Sequence, residues 1–202
     1  MIDVQPATLE RDGIRLVPMT DEHRDGLAAA STDGRLWELW YAATASPDTI
    51  DAYIADALEG QRDGRMLPWV VTDALTGIVV GTTRYHDIVA AIDRVEIGYT
   101  WYAGSHQRTR VNTTCKLLLL EHAFDTLHCK VVGLRTDGFN FRSQRAIEAL
   151  GAKKDGTLRH FGIRRDGSAR DVVIYSILAV EWPDVRRHLE FRLRRHSGAE
   201  SL

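Results

Sequence analysis

Arg94-Val95-Glu96-Ile97-Gly98-Tyr99-Thr100-Trp101 is the stretch whose reading decides the fold. Val95 and Ile97 alternate with Glu96 and Gly98, the period of two that a strand imposes on its faces. The next residues, Ser105-His106-Gln107-Arg108-Thr109-Arg110-Val111-Asn112, are polar and show no period. They lead into a segment that is apolar almost all round, through Leu117, Leu118, Leu119, Leu120, Ala123 and Phe124. That composition predicts a deeply packed helix over 112–127, with Asn112 or Thr113 as its N-cap. A loop entering a helix presents unpaired backbone N–H groups at the positive end of the helix dipole, a ready site for a pyrophosphate.

Outward from this core the chain alternates between short strands and helices. Upstream, a first strand is expected over 14–18, a helix capped by Thr20 or Asp21 to about residue 30, and a second helix over 47–63. Strands over 67–72 and 78–85 then complete an antiparallel meander with 95–101. Downstream come a strand over 130–136, a helix over 141–150, two strands over 157–163 and 171–178, and a polar helix from about 180. The order β-α-α-β-β-β-α-β-α-β-β-α is that of a mixed α/β (α+β) domain with helices packed on one sheet.

Composition sets the outer bounds. The 202 residues suffice for one domain, and 44% hydrophobic residues build a core without staples. A net charge of -2 argues against a nucleic-acid binder. The arginines at 186, 187, 192, 194 and 195 read as a solvated helix face. Cys115 and Cys129 sit among apolar residues and read as reduced core cysteines; nothing has zinc-ligand spacing, so no metal is expected. The beginning of the chain lacks an apolar signal segment and no run is long enough for a membrane, so a cytoplasmic protein is expected.

A third segment carries chemistry: Asn140-Phe141-Arg142-Ser143-Gln144-Arg145-Ala146-Ile147-Glu148-Ala149-Leu150-Gly151-Ala152. Ser143, Ala146, Ile147 and Leu150 fall on one helical stripe, so a hydroxyl shares the face of apolar residues. Taken in order, the strand at 94–101, the loop at 105–112 and this helix resemble the GCN5-related N-acetyltransferase (GNAT) superfamily. Within it they are most similar to the ribosomal-protein-alanine acetyltransferase (RimJ/RimL-type) branch. The resemblance covers about 10–180, leaving 181–202 as a polar helix and tail.

The resemblance implies a mostly antiparallel twisted sheet and acyl transfer from acetyl-CoA to a primary amine, a peptide N-terminus or a small molecule, by direct attack in a ternary complex. It assigns the cofactor to Gln107, Arg108, Thr109, Arg110, Val111, Asn112 and Thr113, to the strand near Tyr99 and Trp101, and to Asn140 and Ser143. The family pattern has small residues where Arg108, Arg110 and Asn112 stand. Glycine there tolerates positive φ and close approach; arginine instead offers charge-assisted bonds to phosphate. Many members carry a tyrosine as acid at the Ile147 position, so Ser143 is the candidate acid, against the alternative that Asn140 caps the helix and Ser143 satisfies a first-turn carbonyl.

Glu96 is the candidate base: an ammonium must lose a proton before attack, and partial burial raises a carboxyl pKa. The competing reading is a structural ion pair to Arg94 or Arg145. Trp37, Trp40 and Tyr41 form a candidate acceptor wall, and Glu38, Asp87 and Asp93 could draw in a cation. Alternatives are a succinyl or other acyl donor, favoured by an arginine near the acyl pocket, and a non-catalytic CoA-binding or sensor module. A monomer or homodimer fits either.

Overall fold

The computed structural model describes residues 1–42 and 44–196. In chain order the strands are β1 (Leu9–Arg11), β2 (Ile14–Pro18), β3 (Leu67–Asp73), β4 (Val79–Val89), β5 (Arg94–Tyr102), β6 (Val131–Asp137), β7 (Lys153–Ile163) and β8 (Ala169–Leu178). The helices are α1 (Arg24–Thr32), α2 (Ile50–Arg62), α3 (Val111–Glu121), α4 (Phe141–Glu148) and α5 (Trp182–His196). One sheet results, in the order β1-β2-β3-β4-β5-β6-β8-β7. Every neighbouring pair is antiparallel except β5 and β6. Those two are parallel because α3 returns the chain across the sheet between them.

Both faces of the sheet are covered. Val95, Ile97, Val132, Leu134 and Tyr175 share a core with Leu117 and Leu119 of α3 and Leu189 of α5. Leu27 of α1 and Ile50, Ile54 and Ala57 of α2 pack with Val70 and Trp101 on the other side. A bulge in β5 explains how Trp101 reaches that side. The β4–β5 register passes from Thr82↔Trp101 to Arg84↔Gly98, so β5 spends one more residue than β4. The extra residue is accommodated at Tyr99, whose φ is 52. Such a bulge swaps the faces of all residues beyond it. Gly98 cannot be replaced easily, because a Cβ there would lie 2.3 Å from His86 Nε2.

Several boundaries differ from the sequence reading for local reasons. β1 is three residues long, too short to show a period. Thr20 does cap the first helical turn, in a reciprocal box with His23, and the helix continues to Thr32. β7 begins at Lys153 rather than 157, because its exposed Lys153-Lys154-Asp155 start hides the strand pattern. α3 begins at Val111, and a π-helical turn, His122–Thr126, follows its end at Glu121. The polar C-terminal helix carries an apolar stripe, Trp182, Val185, Leu189 and Leu193, buried in the main core. Its arginines are not simply solvated: Arg186 pairs with Glu121 and Asp125, and Arg192 donates to the Ala149 carbonyl. The expected tail beyond 196 lies outside the described residues. Cys115 and Cys129 are buried and free. No helix among the described residues is long and apolar enough to cross a membrane.

Candidate active site

The β5–β6 ladder runs from Arg94↔Val131 to Ile97↔Leu134 and stops, although β5 continues to Tyr102 and β6 to Asp137. The bulge at Gly98–Tyr99 turns β5 away, and a wedge opens between the two strand ends. Tyr102 leads into α3 and Asp137 into α4, so both helices start at the mouth of the wedge. Gln107 bridges that mouth. Its Nε2 donates to the Tyr102 carbonyl at 3.0 Å, and its Oε1 accepts from Arg142 at 2.6 Å.

The loop before α3 has the form its arginines put in question. Arg108 takes φ 61, the left-handed conformation that glycine adopts more cheaply. Among the described residues, no protein acceptor meets the backbone N–H groups of Arg108, Thr109, Arg110, Asn112 or Thr113. Thr109 Oγ1 accepts from Val111 N at 3.3 Å and donates to the His106 carbonyl at 2.7 Å. Thr109 therefore does the capping expected of Asn112 or Thr113, which lie inside the first turn. The Arg108 and Arg110 side chains are exposed and have no carboxylate partner among the described residues. Free N–H groups at the start of an eleven-residue helix, flanked by two uncommitted guanidinium groups, suit a diphosphate. The side chains of Val111 and Thr113 are buried, which leaves only their backbones at the loop. Trp101 is likewise a core side chain of the α1–α2 face, and only its backbone borders the wedge.

On the facing helix, Asn140 Oδ1 accepts from Ser143 N at 3.0 Å and caps α4. Ser143 Oγ makes no hydrogen bond among the described residues, so the first-turn carbonyl alternative is not realised. The expected stripe is narrower than its spacing suggests. Ile147 and Leu150 are buried, Ala146 is exposed, and Ser143 is half-buried at the stripe's margin.

Glu96 lies on the α2 side of the sheet, at the level where the ladder ends. It is 2% exposed. Arg135 Nε donates to its Oε1 at 2.5 Å, and Arg94 reaches its Oε2 at 3.3 Å. The structural pair expected with Arg94 is present; Arg145 stands exposed on α4, and Arg135 takes its place. Burial pushes the Glu96 carboxyl up to about 7, and Arg94 pulls the other way. His86 Nε2 sits 3.8 Å from Glu96 Oε1. Burial, then Arg135, Arg84 and Arg94, lowers its pKa to about 3, so it stays neutral. A cavity of about 400 Å³ opens over this carboxylate, walled by Asp87, Arg94, Arg135, Phe161 and Ile174. Phe161 is aimed there by a bulge in β7 between Leu158 and Gly162, held by Asp171 through Arg159 and the His160 N–H.

The Tyr99 ring belongs to this side as well. It faces the buried Arg84 guanidinium at 4.4 Å, opposite Tyr53 at 4.2 Å, and meets His86 edge-on. Trp37, Trp40 and Tyr41 form a separate group. Trp40 packs on Phe139 and on Arg164, whose guanidinium pairs with Asp137. Tyr41 meets Trp40 edge-on, and Arg165 holds the Trp37 carbonyl. This aromatic segment thus docks where β6 enters α4, beside the wedge mouth, while Glu96 is served by Arg135, Arg94 and His86. Sequence reasoning missed Arg135, His86 and Phe161. The one available signal was Arg135 itself, a charge inside a strand of core residues.

A sheet parted between two parallel strands, with unpaired N–H groups at the mouth and a buried carboxylate at the apex, is the arrangement expected of an acyl-CoA-dependent N-acyltransferase. The family model described as Acetyltransferase (GNAT) domain matches residues 14–153, and the chain belongs to that family. A protein of T. thermophilus described as an acetyltransferase is 30% identical, with TM-score 0.82 and coverage of 95% of this chain and 100% of that one. The fold is shared with Mycobacterium smegmatis RimJ in complex with CoA-disulfide, at 22% identity and TM-score 0.77, covering 94% and 96%. The uncharacterized N-acetyltransferase YoaA of Bacillus subtilis (strain 168) is 23% identical over 175 residues, 84% of this chain and 96% of that protein. The enzyme is an N-acetyltransferase.

Proposed function

We propose that the wedge binds acetyl-CoA, and that the cavity over Glu96 receives a primary amine, on a small molecule or a peptide N-terminus. Acetyl-CoA supplies a thioester carbonyl activated toward amines. The N–H groups of Arg108–Arg110 and the first turn of α3, with the Arg108 and Arg110 side chains, hold the diphosphate. The β5 edge from Gly98 to Tyr102, unpaired with β6, lends backbone groups to the pantetheine arm and a backbone N–H to the developing oxyanion.

Glu96 takes the proton of the acceptor ammonium, directly or through a water. Arg135 and Arg94 fix its orientation, and neutral His86 adds no competing charge. Ser143 Oγ, uncommitted on α4, gives a proton to the departing thiolate. The observation that carries this reading is the juxtaposition itself. Unpaired N–H donors stand at the mouth of a wedge whose apex holds a buried carboxylate titrating near neutrality.

The test is calorimetric titration of acetyl-CoA into the wild type and the R108A/R110A double variant. Loss of two charge-assisted contacts is expected to weaken binding by roughly tenfold or more. Equal affinities would remove the diphosphate assignment. Thiol release with any member of an amine panel decides against a non-catalytic module.

A further inference from the structure

On β8, Val173, Tyr175 and Ile177 point into the α3–α5 core, so Arg170, Val172 and Ile174 share the opposite face. Ile174 lines the cavity over Glu96. The Arg170 side chain is half-buried and, among the described residues, forms neither a hydrogen bond nor an ion pair. Its Nε is buried without a partner. It lies against Gly162 across the β7–β8 ladder, where a Cβ would come within 3.0 Å of that Nε. Its charge is felt at Arg135 and at Tyr99.

The other arginines of this face all have acids: Arg84 has Asp56, Arg94 has Glu96, and Arg135 has Glu96 and Asp87. Arg170 has none among the described residues, and a second guanidinium, Arg135, is close enough to feel its charge. The buried Nε is a donor left unmet, which costs stability, and a second guanidinium nearby adds like-charge repulsion. Packing does not repay it, because β8 is held by two ladders without this side chain. A bound anion does.

We propose that Arg170, backed by Arg135, is a carboxylate-binding subsite of the acyl-transfer site. The inference rests on the transferase reading and names a property of its substrate. The carboxylate belongs either to the acceptor, as in an amino acid, or to the far end of a dicarboxylic acyl group.

Two arms separate these sources, using the full chain. The first compares amino acids with the amines left when their carboxylate is removed, acetyl-CoA being the donor. The second compares succinyl-CoA with acetyl-CoA on one amine. In one arm the carboxylate-bearing member is preferred by the wild type, and R170Q lowers its kcat/KM roughly tenfold to a hundredfold while sparing the other member. R170K restores part of the loss. Independently, succinate raises the wild-type Tm relative to chloride at equal ionic strength, and R170Q abolishes the rise. No preference in either arm, or equal losses for both members, overturns the subsite. If no amine is turned over at all, the transferase reading fails. The succinate shift then decides alone: its loss in R170Q upholds the subsite, and its absence in the wild type ends it.

Discussion

Glu96 is both paired and available, and the two conditions act against each other. Arg135 and Arg94 favour its anion, while enclosure by the sheet and the cavity wall favours its acid. The balance, about 7, sets a sign. Below that pH the carboxyl holds its proton and cannot accept another, so kcat/KM climbs with pH and levels off above it. E96Q is expected to lower kcat/KM roughly 10²-fold or more and to erase that limb. A limb that survives in E96Q points to another base. Lys116 makes a contrasting case. It is buried under β5 with its Nζ on Thr100 Oγ1 at 2.7 Å, and burial lowers its pKa from 10.5 to about 8. The unfolded chain binds that proton more tightly, so the group destabilises the fold at pH 7. The cost fades as pH rises from 8 to 10.5. K116M should therefore stabilise the protein near pH 7, by up to about 3 kcal/mol, since Thr100 keeps Thr83 as a partner. The gain should vanish above pH 10.5, as read by thermal unfolding at both pH values.

Elements were legible to the degree that they repeat. Val95-Glu96-Ile97 and the leucines of α3 announced their structures because strand and helix periods are local. The bulge at Tyr99 was not legible, since nothing in Gly-Tyr-Thr-Trp says that one residue will be spent without advancing the ladder. That omission mattered: the bulge decides that Trp101 is core and that the Tyr99 ring faces Arg84 rather than the wedge. The loop arginines were legible as departures from a pattern, but only the backbone shows Arg108 adopting the glycine-like φ. Ion-pair partners were the least legible, because Arg135 meets Glu96 across 39 positions of sequence. The β7 bulge follows the same logic and can be tested. Asp171 holds the Arg159 side chain and the His160 N–H, keeping Phe161 at the cavity. D171A should raise KM for the amine severalfold while leaving affinity for acetyl-CoA unchanged. A parallel loss of both would assign Asp171 to the stability of the hairpin instead.

At the scale of the molecule, a single sheet is built from an antiparallel block, β1 to β5, and a smaller one, β6 to β8, joined by four residue pairs between β5 and β6 and by the helices packed across them. Any ligand that fills the wedge adds contacts to both blocks, so binding reinforces the join. At a hundred times its Kd, acetyl-CoA should add about 2.7 kcal/mol to stability. Hydrogen exchange of the Gly98 to Tyr102 amides should slow more than that of β1 to β3. Uniform protection along the sheet would speak against a ligand lodged between the blocks.

The short parallel ladder has a further consequence for how such a protein diversifies. Its chemistry is sited where the backbone is least committed to itself. Side chains that wall the cavity without pairing with Glu96, Phe161 and Ile174 among them, can be exchanged while the strand registers stay intact. A new preference for the amine can then arise by re-tailoring one rim, without asking the rest of the architecture to change.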